Sequence, residues 1–393
     1  MIWNIYKYYH NIFDNMNYCC IFPFLDNNDI TKHVGLIPYY LSKDFGYDAT
    51  LVSLNNDEYT NADKISGVNL KIIDKKFRLF VLNYIFLYIY LIRNAKKIDV
   101  LHCFHATNYT FIFFLIYKIL NRNGVTMFIL DINCRYTLKF TGKEKNIISL
   151  IKTKIFPTLF KYLVDIATIE TKKTMNGFVQ YHDIYKEKLM YMPVFVDPNP
   201  DILEVKKNQV IYVGRIGARY KASDIVMESF KRALDKTDDK SWILKMVGPI
   251  SEEFEEYIDD FFSKYPSLMD SIVFTGNIND KDELYKIYSE SKIFCLPSQS
   301  ESFGIAFVEA LFYGDYLIVS PVGVADYLVE ISDYGQIVEI DNIEDISNKL
   351  ADAIENYDKY SKKSTDFMKL MEDEFSYRSY LGKLDFKIRQ FRK

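Results

Sequence analysis

Short apolar runs without polar alternation, separated by amphipathic stretches, follow one another along this chain, and the series starts afresh at residue 208. The first series reads NYCCIFPFL (17–25), ATLVSL (49–54), VNLKIID (68–74), IDVLHCF (98–104) and VTMFILD (125–131). The second reads NQVIYVG (208–214), SWILKMVG, SIVFTG, KIFCLP, YLIVS and GQIVEI (335–340). A strand that is apolar on both faces belongs in a parallel sheet covered on both sides by crossover helices. Two such series predict an α/β chain of two doubly wound, Rossmann-like parallel-sheet domains.

A length of 393 residues supports two cores. We place the first domain at 1–200 and the second at 201–376, with the linker near 195–207, where YMPVFVDPNPDILEVKK is rich in Pro, Asn and Asp and has no helical period. The segment 377–393 reads as a helix with a basic end that packs back on the first domain or lies on a surface. The loop DNNDITKHVG (26–35) precedes a helix LIPYYLSKDFG. The longest apolar run, Leu79–Ile92, is too short to span a bilayer comfortably and reads as a buried helix, with an interfacial segment as the second reading.

The net charge of −4 divides into roughly +7 for residues 1–200 and roughly −11 for the rest. Lysines alternate with apolar residues through 141–173, which suits a solvated helix face or peripheral contact with an anionic membrane. No RNA-binding motif accompanies them, so nucleic acid is not an expected partner. The five cysteines (19, 20, 103, 134, 295) lack C-x-x-C spacing, and the start lacks a signal-peptide pattern. Both fit a cytoplasmic protein, at the inner face of the membrane if the basic half binds lipid. There is no metal-ligand spacing and no G-x-S-x-G elbow, and Asp280 of DKD reads as a helix cap.

Two loops carry the chemistry. In VIYVGRIGARYKASD the strand ends at Gly214, Arg215 and Lys221 follow, and a helix begins near Ser223, read as its N-cap. Glycines that admit close backbone approach, with two cations, suit a diphosphate; an ordinary polar loop is the alternative. In PSQSESFGIAFVEAL, Glu301 precedes a helix starting near Ile305 and Glu309 lies inside it, roughly 10–12 Å further along at the helical rise. The helix N-terminus offers N–H groups to a phosphate or to sugar hydroxyls. A glutamate among apolar neighbours needs a hydrogen-bond partner, for which a ligand is the expected source.

GRIGARYK followed by PSQSESFGIAFVEAL resembles the retaining GT-B glycosyltransferases of the Glu-x7-Glu class, family four, also called glycosyl transferases group 1. The likeness covers the second domain and, more loosely, HVGLIPYYLSKDFGYD and IDVLHCFH of the first. It implies two domains facing a central cleft and metal-independent transfer of a sugar from a nucleotide-diphosphate donor, with UDP the commonest, retaining anomeric configuration. It implies that Arg215 and Lys221 neutralise the diphosphate, that Glu301 with Ser302, Phe303 and Gly304 clamps the sugar, and that Glu309 holds the ribose. It also implies that Gly214, Gly248 and Gly35 let backbone approach the donor and that His105 lies beside the transferred sugar. Asp131 and Glu170 stand at other strand ends, and His102 reads as a core histidine. The sequence departs from the family pattern at Ala222, where glycine is commoner, at PVFVD in the linker, and at His33, in a loop expected to shape the acceptor pocket.

The expected activity is that of a retaining hexosyltransferase-type enzyme without cofactor, acting on a glycan or lipid-linked acceptor in surface polysaccharide or glycoconjugate synthesis. A nucleotide-sugar epimerase on the same fold and a non-catalytic partner in a glycan assembly complex are the competing readings.

Overall fold

The computed structural model describes residues 15–130 and 157–392, apart from 57, 106, 181–182, 197 and 363–365. Asp131, Cys134 and the first half of the lysine-rich stretch lie outside the described residues. The chain forms two compact units, one running to Phe195 and resuming at Tyr377, the other Val196–Ser376.

The first unit has strands β1 (Asn17–Ile21), β2 (Asp48–Leu54), β3 (Asn69–Ile73), β4 (Val100–Phe104), β5 (Val125–Leu130), β6 (Ile166–Ile169) and β7 (Leu189–Tyr191). They form one sheet in the order β3-β2-β1-β4-β5-β6-β7, every pair parallel. Along β1, Tyr18 and Cys20 enter one core cluster while Cys19 and Ile21 enter another. Both faces of the sheet are therefore covered, which is why these strands show no alternation. The second unit has β8 (Lys207–Val213), β9 (Ile243–Val247), β10 (Ile272–Gly276), β11 (Ser291–Leu296), β12 (Tyr316–Val319) and β13 (Gly335–Ile337). Its parallel sheet runs β10-β9-β8-β11-β12-β13.

The helices that matter below are α1 (His33–Phe45), α2 (Tyr84–Asn94), α3 (Asn108–Leu120), α4 (Ser223–Lys236), α5 (Lys281–Glu290), α6 (Ile305–Phe312) and α7 (Tyr377–Phe391). Helix α7 contributes Tyr380, Leu381, Leu384 and Ile388 to the first unit's core, and its Asp385 accepts the Tyr47 hydroxyl at 2.6 Å.

Several local expectations need correction. Strand β1 ends at Ile21 and not at Leu25, because Pro23 has no N–H to give a ladder. The stretch 26–35 is mostly helical: Asp26 caps the turn Asn27–Ile30 by accepting the Asp29 N–H at 2.9 Å, and α1 starts two residues before Gly35. The 79–92 run is buried on one side only: Tyr84, Leu87 and Leu91 face the core, whereas Leu82, Ile85, Ile89 and Ile92 are exposed. The unit boundary falls at Phe195. That residue stays with the first unit because its N–H bonds His33 Nε2 at 2.9 Å, whereas the Asn199 carbonyl is held by Tyr313 of the second unit at 3.0 Å.

Candidate active site

In each sheet the strand order reverses direction at one place, between β1 and β4 in the first and between β8 and β11 in the second. Loops leaving the carboxyl ends of such a pair diverge and leave a crevice, the usual ligand position in open α/β sheets. Arg215 and Lys221 follow β8, and Glu301 follows β11. Lys221 Nζ lies 2.6 Å from Glu301 Oε1, both side chains largely shielded, and Ser298 Oγ donates to the same oxygen at 2.8 Å. The two loops singled out in the sequence are thus joined by a direct ion pair across the β8–β11 crevice. Arg215 is exposed; its guanidinium lies over the Tyr220 ring, 5.5 Å from the centroid, and donates to the Tyr220 hydroxyl.

Two helices start here without a side-chain cap, α4 after Ala222 and α6 after Gly304. Their first-turn N–H groups carry the partial positive charge of a helix N-terminus. Ser223 is not the N-cap. It is the first helical residue, its Oγ accepting the Gly217 N–H at 3.1 Å and lying 2.9 Å from the Tyr212 hydroxyl. The preceding Ala222 has φ 55, a left-handed conformation that explains why glycine would be the commoner choice.

Gly248 has φ 139, and a Cβ there would stand 2.0 Å from the Gly214 carbonyl oxygen. Gly214 donates to the Val247 carbonyl at 2.9 Å, so the ends of β8 and β9 are drawn together by two glycines. Gly304 has φ 89 and a Cβ on it would strike the Phe307 ring. Phe303 is buried, Ser302 half-buried, and the Phe303 carbonyl accepts the Val324 N–H at 2.8 Å. Gly323, which the sequence reading did not single out, brings the 320–324 loop against Phe303 and Glu301: its Cβ would lie 2.1 Å from the Phe303 oxygen and 3.1 Å from Glu301 Cβ. An S-P-V-G turn after a strand was the available signal.

Glu309 is buried in α6, and burial pushes its carboxyl above the usual glutamate range. Its expected dependence on a ligand for a partner is corrected by Tyr288 of α5, whose hydroxyl donates to Oε2 at 3.3 Å. An open cleft beside the β8–α4 loop is lined by Gly217, Arg219, Ser223, Tyr257, Gln299 and Asp341, and by none of Arg215, Lys221, Glu301 and Glu309.

The corresponding edge of the first sheet is different. Gly35, in the first turn of α1, faces Ile30: a Cβ would be 2.1 Å from the Ile30 carbonyl oxygen. Packing alone demands this glycine. His105 follows β4 at φ 61, with its N–H on the Ile129 carbonyl and its own carbonyl accepting Thr110 Oγ1 at 2.7 Å. His33 is buried at the start of α1. Burial lowers its pKa to about 3, so the ring is neutral; Nε2 accepts from Phe195 and the proton sits on Nδ1, 3.9 Å from Glu170. His102 is fully buried, with Nδ1 against the Tyr18 hydroxyl and its pKa likewise lowered to about 3 by burial.

Comparison with known proteins bears on the second unit and on the fold. Residues 197–367 match the Glycosyl transferases group 1 family. The matched region lies within the second unit and contains the Lys221–Glu301 pair. Over a longer stretch, the chain is similar to an uncharacterized glycosyltransferase of Haemophilus influenzae, 28% identical over 250 residues, which spans 61% of this chain and 64% of that one. Among solved structures, HepE (Alr3699) of Anabaena in complex with UDP and glucose superposes with a TM-score of 0.71 at 13% identity, covering 96% of this chain and all of that one. A glycosyltransferase from Rickettsia africae superposes at 0.69 with 17% identity, covering 97% and 100%. The fold is therefore GT-B, two parallel-sheet Rossmann-like domains.

Proposed function

We propose that this chain transfers a sugar from a nucleotide-diphosphate sugar, UDP-linked in the simplest reading, to a hydroxyl of a glycan or lipid-linked acceptor. The reading rests on one observation: Lys221 and Glu301 meet at the switch point of a group 1 domain, beside two uncapped helix starts. The Anabaena relative holding UDP and glucose supports the donor class.

In this reading the ion pair keeps both groups in place before the donor arrives. The diphosphate takes over Lys221 and meets Arg215, and Glu301 turns its acceptor capacity to the sugar hydroxyls together with the first-turn N–H groups of α6. Glu309, in the second turn of α6, accepts from the ribose. As the bond from the anomeric carbon to the diphosphate breaks, negative charge grows on the leaving oxygens, and preplaced cations and N–H donors stabilise it by about 2.7–4 kcal/mol for each well-placed donor. The acceptor oxygen bonds to the anomeric carbon on the same face, giving retention, and its proton leaves with the diphosphate. No metal is assigned a step. His105 is assigned to the transferred sugar by resemblance. We place the reaction in the cytoplasm at the inner face of the membrane, in polysaccharide or glycoconjugate synthesis.

A thermal-shift panel of nucleotides and nucleotide sugars tests the donor class. A true ligand at a hundredfold excess over Kd adds about 2.7 kcal/mol of stability. UDP and a UDP-sugar should raise the melting point where CMP and ADP do not; a flat panel overturns the reading. Conversion of the donor to its epimer with no acceptor present would favour the epimerase instead.

A further inference from the structure

Helices α2 and α3 lie side by side on one face of the first sheet, through Tyr84 stacked on Tyr109 (4.3 Å) and Tyr88 against Phe113 (4.8 Å). Their inward faces are satisfied by the core. Their outward faces are also apolar: Ile85, Ile89 and Ile92 on α2 and Ile112, Leu115 and Ile119 on α3 are 37–67% exposed. At helical spacing each trio forms a single stripe. Leu79, Val81 and Leu82 continue the surface ahead of α2. Eleven of the 17 exposed large hydrophobic residues among the described residues fall here, counting Phe77 and Phe24, the latter stacked on Phe80 at 4.8 Å. A contiguous apolar face of this size on a folded unit marks an interaction surface.

Charge identifies what it meets. Between Lys75 and Leu130 the chain carries eight basic residues and one acid, Asp99. Asp99 is occupied by Arg392 at 2.9 Å and by the Asn17 N–H. The cations gather at the ends of the stripe: Lys75, Lys76 and Arg78 before α2, Arg93 in its last turn, and Lys96 and Lys97 after it, all exposed. Lys75 and Lys76 lay their ammonium groups over the rings of Phe80 and Phe86, 5.7 and 5.4 Å from the centroids. Apolar side chains framed by lysines whose stems follow the apolar surface are the pattern of a segment lying in the lipid interface. A second copy placed on the same face would bring basic rims together, which opposes self-association. No described helix is long and apolar enough to cross a membrane, so contact would be lateral.

We propose that the outer face of α2 and α3 is the docking surface for an anionic lipid bilayer. It deepens the functional reading, on which it rests for a lipid-linked acceptor, and it moves the membrane contact from the lysine-rich 141–173 stretch to residues 75–122. The experiment is co-sedimentation of the full chain with phosphatidylcholine vesicles, with and without phosphatidylglycerol, at low and high salt. Binding should require the anionic lipid and weaken with salt. The triple variant Ile85→Ser, Ile89→Ser, Ile92→Ser and the triple variant Lys75→Glu, Lys76→Glu, Arg78→Glu should each lower the bound fraction about tenfold or more. An unchanged melting transition and UDP response would show both variants folded. Wild-type-like binding by both variants, absence of binding by the wild type, or a dimer that the serine variant dissolves each overturns the proposal. So does a chain lacking residues 1–14 that loses binding while the serine variant keeps it. A wild type that binds vesicles but ignores every nucleotide would sink the functional reading and leave the docking surface standing.

Discussion

The two sheets have the same construction and opposite chemistry at their switch points. At β8–β11 the crevice is walled by a lysine, a glutamate, an exposed arginine and two uncapped helix starts. At β1–β4 it is walled by Phe22, Phe104, His105 and a buried neutral His33, with a glycine that serves helix packing. A parallel doubly wound sheet offers a ligand crevice wherever its order reverses, but only the residues placed there decide what enters. In the proposed reading the second unit neutralises a compact polyanion. The first offers aromatic surface with carboxylates, Asp29 close to His105 and Glu170 beside His33, which suits sugar hydroxyls better than a diphosphate.

The sharpest way to break this contrast is to remove the cations of the second site. Arg215→Ala and Lys221→Ala should each lower kcat by about a hundredfold or more, measured by release of nucleoside diphosphate. Arg215 is exposed, so its loss should leave the melting point nearly unchanged, whereas Lys221→Ala strands a shielded Glu301 and should lower it. Turnover retained in both would mean that the diphosphate lies elsewhere.

What the sequence disclosed follows the same division. Strands β8, β11 and β12 were legible because double burial makes an apolar run that nothing else explains. The charged loops were legible because cations and glycines at a strand end have few structural uses. The helical turn Asn27–Ile30 was hidden because its capping box is Asp-x-x-Asp, with Asp29 taking the glutamate's place, and the start of α1 because Lys32 precedes it with no side-chain cap. Strand β7 has three residues, too few for a pattern. The Tyr288 partner of Glu309 is 21 residues away on another helix, a relation no local spacing carries. The apolar outer face of α2 was concealed by its own composition, since a run that is apolar all round reads as buried.

Glycines test the contrast next. Gly35→Ala and Gly248→Ala both drive a methyl group into a backbone carbonyl, and each should cost about 2 kcal/mol or more in chemical denaturation. If Gly35→Ala proves as stable as the wild type but loses nucleotide binding, the first switch point shares in donor recognition and the division of labour fails. Loss of stability together with activity assigns Gly35 to packing.

Glu309 separates ligand chemistry from burial. Replacing it with Gln removes a charged acceptor and should weaken UDP binding about tenfold, read by titration calorimetry. Its carboxyl titrates above the ordinary glutamate value when folded, so the folded chain holds that proton more tightly than the unfolded one. That contribution to stability is complete below the unfolded pKa and is lost as pH rises through the folded value. The wild type should therefore lose stability over that interval on going toward neutral pH, and Glu309→Gln should lack this loss. An unchanged pH profile in the variant would show the carboxylate already charged and satisfied by Tyr288.

The smallest effect compares the two non-glycine residues held in left-handed conformation at the switch points, His105 with φ 61 and Ala222 with φ 55. Such a conformation costs an alanine about 1–2 kcal/mol, while removing a buried methyl costs about 0.8 kcal/mol. Ala222→Gly should thus gain a few tenths of a kcal/mol and raise the melting point by about a degree. Histidine tolerates the left-handed region better, so His105→Gly should gain less. The two positions part company in turnover. If His105 touches the transferred sugar, His105→Gly should lower kcat while KM for the donor hardly moves, because the diphosphate grip belongs to the other unit. A drop in donor affinity with kcat intact would instead put the imidazole among the donor's binding groups, and an unchanged enzyme would leave His105 as a strained turn residue of the fold.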